Sequence, residues 1–175
     1  MRRLRFVGIA AAFLLCGSAA MAQTTLRIGL AEDPDVLDPT LARTYVGRIV
    51  FASLCDKLFD IDDKLNIVPQ LALSHETSQD GKTVTLKLRQ GVKFHDGETM
   101  DTEAVKVSLE RHMTMQGSFR KPELGAVDKV EVADVSTVRL LLKNPFSPLI
   151  AQLADRAGMV MSPKATKEAG DKFGL

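Results

Sequence analysis

The sequence predicts an α+β, or mixed α/β, fold, and three observations lead there. Residues 74–78 and 83–89 flank a Gln79-Asp80-Gly81-Lys82 turn, and the Asp-Gly pair supplies the positive-φ residues that a tight hairpin needs. Residues 45–59 and 101–112 instead repeat their apolar side chains every three or four positions, the period of a helix buried on one side. Strands and helices follow one another irregularly rather than in βαβ alternation, which points to a small α+β layer inserted into a larger unit.

Taken in order, the chain opens with "MRRLRFVGIAAAFLLCGSAAMAQ". Arg2, Arg3 and Arg5 form a basic start, residues 6–16 an apolar stretch, and Ala20-Met21-Ala22 a small-x-small cleavage pattern, so residues 1–22 are expected to be a signal peptide. The stretch is roughly 11 residues long against the roughly 20 that span a bilayer, and no later segment is longer. Leu15 stands where lipoprotein processing at Cys16 would want a small residue. Cleavage would leave Cys55 alone and an intrachain disulfide impossible. It would also change the balance of 23 basic and 22 acidic residues to 20 and 22, a net −2; with no basic run or aromatic-basic interleaving, a nucleic-acid partner is not expected.

Residues 25–31 alternate and read as a strand, followed by an irregular acidic connection through Pro34 and Pro39 in which Glu32, Asp33, Asp35 and Asp38 read as solvated. In the helix expected over 45–59, Val46, Ile49, Val50, Ser53, Leu54 and Leu58 form the apolar face; it stops at "DIDDKLNIVP". Within the hairpin, Val84, Leu86 and Leu88 share one face and Thr83, Thr85 and Lys87 the other. Gly91 and Gly97 bound a second turn, after which Asp101 can cap a helix with Val105, Ser108, Leu109 and His112 on one side. "VDKVEVADVSTVRLLLKN" reads as two strands joined at 133–136, "LIAQLA" as a short apolar segment, "GMVMSP" as a brief buried strand stopped by Pro163, and "KATKEAG" as the start of a last helix.

Catalytic and metal chemistry find little support. His95 in "FHDG" adjoins Asp96, but neighbours on a strand or turn point apart and no nucleophile sits in a recognisable elbow, so His95 reads as turn chemistry. His75 and His112 have no partner at a zinc-ligand spacing. "EDPDVLD" lacks the glycine and closing glutamate of an EF-hand, and the glycines of "GVKFHDG" are wrongly spaced for a phosphate loop. No cofactor and no metal are expected.

The stretch "LKLRQGVKFHDGETMDTEAVKVSLER" resembles the signature region of the family 5 extracytoplasmic solute-binding proteins, the peptide-, glutathione- and nickel-binding receptors of ABC importers. "LRIGLAEDPDVLDP" is similar to that family's opening strand and loop, "DGKTVTLKLRQGVKFHDG" to its hairpin, "TEAVKVSLER" to the helix that follows, and "STVRLLLKNPFSPLIAQLA" and "MVMSPKA" to the next blocks in order. In that family the signature is structural. The resemblance implies part of lobe I of a two-lobe periplasmic-binding-protein fold: residues 23–45 the start of the lobe I core, 46–149 an inserted α+β subdomain, and 150–175 a return into lobe I. Members run to several hundred residues and continue past the position of "GDKFGL" into a "PVGTGP"-like block, so a truncated N-terminal portion is expected.

The resemblance further implies capture of a small, peptide-like solute between the lobes, closure, and delivery to the membrane permease of an ABC importer, by a monomer in the periplasm that is not an enzyme. Its alternatives are a translated remnant without activity and an exported hydrolase. The loop after the first strand would face the cleft, which selects Arg43, Thr44 and Tyr45. Tyr45 suits stacking on a ligand or packing at the helix start. Arg156 occupies the place of a carboxylate-binding arginine in the nickel-type branch, or is a surface arginine paired with Asp155; Phe119 and Arg120 form a third candidate. A receptor that binds at about 1 μM and keeps half its binding free energy retains about 1 mM, so one lobe alone should bind weakly. Expressed in a Gram-negative host, the exported chain is expected to begin at Gln23 by N-terminal sequencing; a periplasmic product retaining Met1 would contradict the signal peptide.

Overall fold

The computed structural model describes residues 25–175, so the signal-peptide reading and Cys16 lie outside the described residues. Its centre is a four-stranded antiparallel sheet built from β3 (Ala72–Thr77), β4 (Thr83–Leu88), β5 (Val127–Asp134) and β6 (Thr137–Leu142), in the order β3-β4-β6-β5. β1 (Phe59–Ile61) and β2 (Ile67–Pro69) make a separate two-stranded ribbon. The helices are α1 (Tyr45–Leu54), α2 (Thr102–Thr114), α3 (Leu149–Gln152) and α4 (Pro163–Ala169).

The register explains why one sheet face is buried. Val84 lies opposite Leu140, Leu86 opposite Val138, and Val130 opposite Leu140, and directly opposed residues share a face. All five are at most 3% exposed. The alternate set, Thr85 opposite Arg139 and Lys87 opposite Thr137, leaves the other face polar. α2 covers the apolar face with Ala104, Val105 and Leu109, and Val105, Ser108, Leu109 and His112, the side read from its period, are all buried, Ser108 against the Met161 backbone. Asp101 caps it by accepting from the Ala104 N–H at 2.8 Å. The hairpin turns at Gly81, whose φ of +68° is the left-handed backbone for which Asp-Gly is suited.

Four expectations are corrected. Residues 25–30 are exposed and pair with no described strand; alternation specifies two faces, but a ladder needs a neighbour to donate and accept. α1 ends at Leu54 and buries Val46, Gly47 and Phe51, while Ile49 and Leu54 stay open, so the inward face is rotated from the expected one; Leu58 and Phe59 reach the core from beyond the helix. The segment where that helix was expected to stop instead forms the β1–β2 hairpin. It carries no Asn-Gly: Asp62 accepts from the Lys64 and Asn66 N–H groups while Leu65 takes a positive φ of 65°. "GMVMSP" is buried but makes only one bridge, between Met159 and Lys57, and Pro163 opens α4 behind its cap Ser162 rather than ending a strand.

One more correction concerns charge. Asp38, expected in water, is fully buried, and Arg111 of α2 grips both its oxygens at 2.9 and 2.6 Å. His112 is buried beside that pair. Its Nε2 lies 3.1 Å from the Met159 carbonyl, which can only accept, so Nε2 carries the proton and Nδ1 accepts from the Thr40 hydroxyl at 3.0 Å.

Burial pushes the His112 pKa down from 6.5 to about 4, helped by the Arg111 charge and opposed by the bond to Met159. The folded state therefore favours the neutral ring. Its contribution is intact above pH 6.5 and is lost as pH falls from 6.5 towards 4, by about 3 kcal/mol in all. Urea titrations are expected to show a steeper loss of stability over that window in the wild type than in His112→Gln. Parallel curves would contradict a neutral, buried ring.

Candidate functional site

The expected site residues gather around the loop that leads into α1, and the loop's shape is set locally. Thr44 is the α1 N-cap: its hydroxyl accepts from the Gly47 N–H at 3.0 Å and donates to Asp35 at 2.9 Å. The other Asp35 oxygen accepts from the Arg43 N–H at 2.9 Å. Burial works to raise the Asp35 carboxyl, but these donors outweigh it and hold it below its ordinary value. A carboxylate thus already occupies the positive end of α1.

Outside this anchor the side chains are open. The Arg43 guanidinium lies over the Phe119 ring, 5.7 Å from its centroid, and forms no ion pair among the described residues. Phe119 is 45% exposed and Tyr45 73%, which excludes tight packing of Tyr45 at the helix start. The Phe119 N–H donates to the Thr40 carbonyl at 3.0 Å, which ties the 115–124 turn to the loop.

Arg120 and Arg156 point the other way. Adjacent to exposed Phe119, Arg120 is only 3% exposed; its Nη2 donates to the Ala42 carbonyl at 3.2 Å, and its Nη1 lies 2.7 Å from the Glu123 carboxylate. Arg156 is 8% exposed and donates through Nη1 to the carbonyls of Ala42 at 3.0 Å and Thr44 at 3.2 Å. The surface pairing of Arg156 with Asp155 is corrected, since Asp155 instead takes the exposed Arg48 in a two-nitrogen grip. Desolvation dominates the Arg120–Glu123 pair, lowering the Arg120 pKa and raising that of Glu123 despite their mutual attraction. Gly158, just past Arg156, leaves no room for a side chain, because a Cβ there would stand 1.9 Å from the Leu153 carbonyl oxygen.

Two concavities lie near this region without including Arg43, Tyr45 or Phe119. One, of about 300 Å³, is an apolar cleft among Leu54, Cys55, Phe94, Met100, Val160 and Phe173, with His95 at its rim. Cys55 there is a poor nucleophile, its thiol pushed up to about 11 by burial. His95 is exposed, and the polar contacts of its turn are made by Asp96, which accepts from Ser162 and the Glu98 N–H. The other, of about 420 Å³, has Arg48, Lys57, Asp60 and Asp155 among its lining. Among the described residues, no three His, Cys, Asp or Glu side chains are gathered to hold a metal ion.

Sequence reasoning missed Asp35, which holds the loop, and the Ala42 carbonyl, on which both buried arginines converge. A carboxylate eight residues before a Thr cap was a weak signal for the first; nothing in the sequence marks a backbone carbonyl.

A two-layer α/β unit thus presents exposed Arg43, Tyr45 and Phe119 around the loop before its first helix. Residues 66–174 match the family described as bacterial extracellular solute-binding proteins, family 5 middle, and the chain belongs to that family of non-enzymatic solute-binding proteins. It is 37% identical over 140 residues to the glutathione-binding protein GsiB of Pectobacterium atrosepticum, covering 79% of this chain and 27% of that one. The protein of the same name from Escherichia coli K12 is 33% identical across 100% of this chain, which matches 34% of the relative. Among solved structures, the binding protein AgaA in complex with agropinic acid, from A.tumefacien R10, superposes with a TM-score of 0.76 at 33% identity, covering 82% of this chain and 29% of that one. The chain thus spans about a third of its relatives' length.

The cap generates a prediction. Thr44→Ala is expected to cost about 1 kcal/mol in urea unfolding, with Thr44→Ser close to the wild type. An unaffected Thr44→Ala would show that Asp35 holds the loop without it.

Proposed function

We propose that this chain is part of the solute-capturing receptor of a bacterial ABC importer, exported to the periplasm and passing a small peptide-like solute to a membrane permease. In this reading residues 23–45 and 150–175 belong to the lobe I core and 46–149 to the inserted subdomain. The solute rests against Arg43, Thr44, Tyr45 and Phe119, with Arg120 and Arg156 behind them, and a second lobe closes over it.

One observation carries the reading: Arg43, exposed and lying over an exposed Phe119, has no carboxylate partner among the described residues. An aromatic-backed guanidinium suits a solute with a carboxylate and some apolar bulk, since its planar fork can bind the carboxylate with two parallel N–H bonds. Glutathione and agropinic acid, named for two relatives, both carry that group. The residues lie on an open surface rather than in a pocket, which fits one wall of a site that must bury most of its ligand to hold it.

The test uses this chain alone and a chimaera in which residues 25–175 replace the matching third of the Escherichia coli relative, each titrated with glutathione, agropinic acid and trialanine by calorimetry. The chain alone is expected to bind no tighter than about 1 mM. The chimaera should bind at least one of these ligands in the micromolar range, and Arg43→Ala should weaken it by about tenfold or more. A folded chimaera that binds none, or one indifferent to Arg43→Ala, would refute the reading. So would micromolar binding by the isolated chain.

A further inference from the structure

We infer that Arg120 and Arg156 are positioning residues, two buried guanidinium groups that converge on the Ala42 carbonyl and fix the Arg43–Tyr45 loop without touching solute. The reading above bears on this only in what the loop faces, because the clamp itself is a property of the free chain.

The geometry has three parts. The two arginines reach Ala42 from 78 and 114 residues along the chain, so neither contact is a consequence of local backbone. Arg156 Nη1 donates to the carbonyls of Ala42 and Thr44, the residues on either side of Arg43, and so holds the Ala42–Arg43 peptide unit that leads into Arg43 and the Thr44–Tyr45 unit that opens α1. Arg120 lies in the turn whose preceding residue, Phe119, carries the Arg43 guanidinium, so one clamp sets both members of the stacked pair.

The arrangement is also poor as a stabilising device. Arg120 Nε and Nη1, Glu123 Oε2 and Arg156 Nε are buried without an aligned hydrogen-bond partner, and Arg156 has no acid within ion-pair distance among the described residues. Buried charge left in that state opposes folding, and apolar side chains of similar size serve a core as well or better. What the guanidinium groups supply, and a methionine could not, is donors at fixed positions on the loop's carbonyls. Arg156 is engaged by backbone and Arg120 by backbone and Glu123, and both are closed off from solvent, whereas Arg43 is open.

The test is amide hydrogen exchange on the free chain. Arg156→Met removes a guanidinium that balances no carboxylate in an ion pair, and is expected to speed exchange at the hydrogen-bonded amides of Arg43, Gly47 and Arg48 by about tenfold or more, the loss of charge-assisted bonds to the loop. The central-strand amides of Leu86 and Leu140 should keep their wild-type rates. Arg156→Lys, which retains the charge but cannot match the planar fork, should fall between, and it is read in the same way should the methionine variant not fold. Unchanged rates at Arg43, Gly47 and Arg48, or rates rising together across loop and sheet, would overturn the inference.

A second measurement separates positioning from contact. In the chimaera, Arg156→Met should weaken each ligand that binds by a similar factor, whereas a loss confined to one ligand would make Arg156 a contact residue. Because hydrogen exchange needs no solute, a failed clamp and a failed binding reading are distinguishable.

Discussion

Val105 and Leu109 of α2 share one core with Val84 and Leu86 of β4, Val130 of β5, and Val138 and Leu140 of β6, and the rest of the structure depends on that seam. Burying a large aliphatic side chain is worth about 1.5–3 kcal/mol, and these residues are nearly all inaccessible, so the seam fixes how α2 lies across the sheet. Once α2 is placed, Arg111 and His112 in its last turns have fixed positions too. They are the groups that reach out of the apolar layer to the loop before α1.

That loop has almost no regular structure of its own and is held by a series of polar ties. Asp35 binds Arg43 and Thr44, Asp38 is gripped by Arg111, Thr40 meets His112, and the Ala42 carbonyl receives Arg120 and Arg156. The Asp35 tie is local, while the others come from α2, from the 115–124 turn and from Arg156, and several are closed off from water, where a hydrogen bond is strong and an unmade one costly. A segment without a ladder is thereby given one conformation. The exposed groups it presents, Arg43 and Tyr45, inherit that order without taking part in it.

The same chain leaves apolar side chains open. Leu26 and Ile28 are 83% and 69% exposed in a segment that pairs with no described strand, and an apolar cleft lies beside Phe94 and Val160. Scattered exposed leucines need no explanation, but an alternating, strand-like segment without a partner does. The relatives are about three times as long as this chain.

The sequence by itself determined the elements whose causes are local. The Asp-Gly turn, the alternation of Val84, Leu86 and Leu88, the Asp101 cap and the buried side of α2 were legible because each rests on neighbouring residues and a single period. The signature stretch also pointed to the family. What only the tertiary structure decided were relations between distant residues: that Asp38 is buried under Arg111, that the inward face of α1 centres on Phe51 rather than Ile49, and that residues 25–30 pair with no described strand. At the candidate site, residue types marked Arg43, Tyr45 and Phe119 as suited to a ligand. That Arg120 and Arg156 turn inward onto a backbone carbonyl was not legible, because a carbonyl has no sequence signature and its partners lie 78 and 114 residues away. Local preferences are encoded residue by residue, whereas the burial of a charge is set by what folding brings around it.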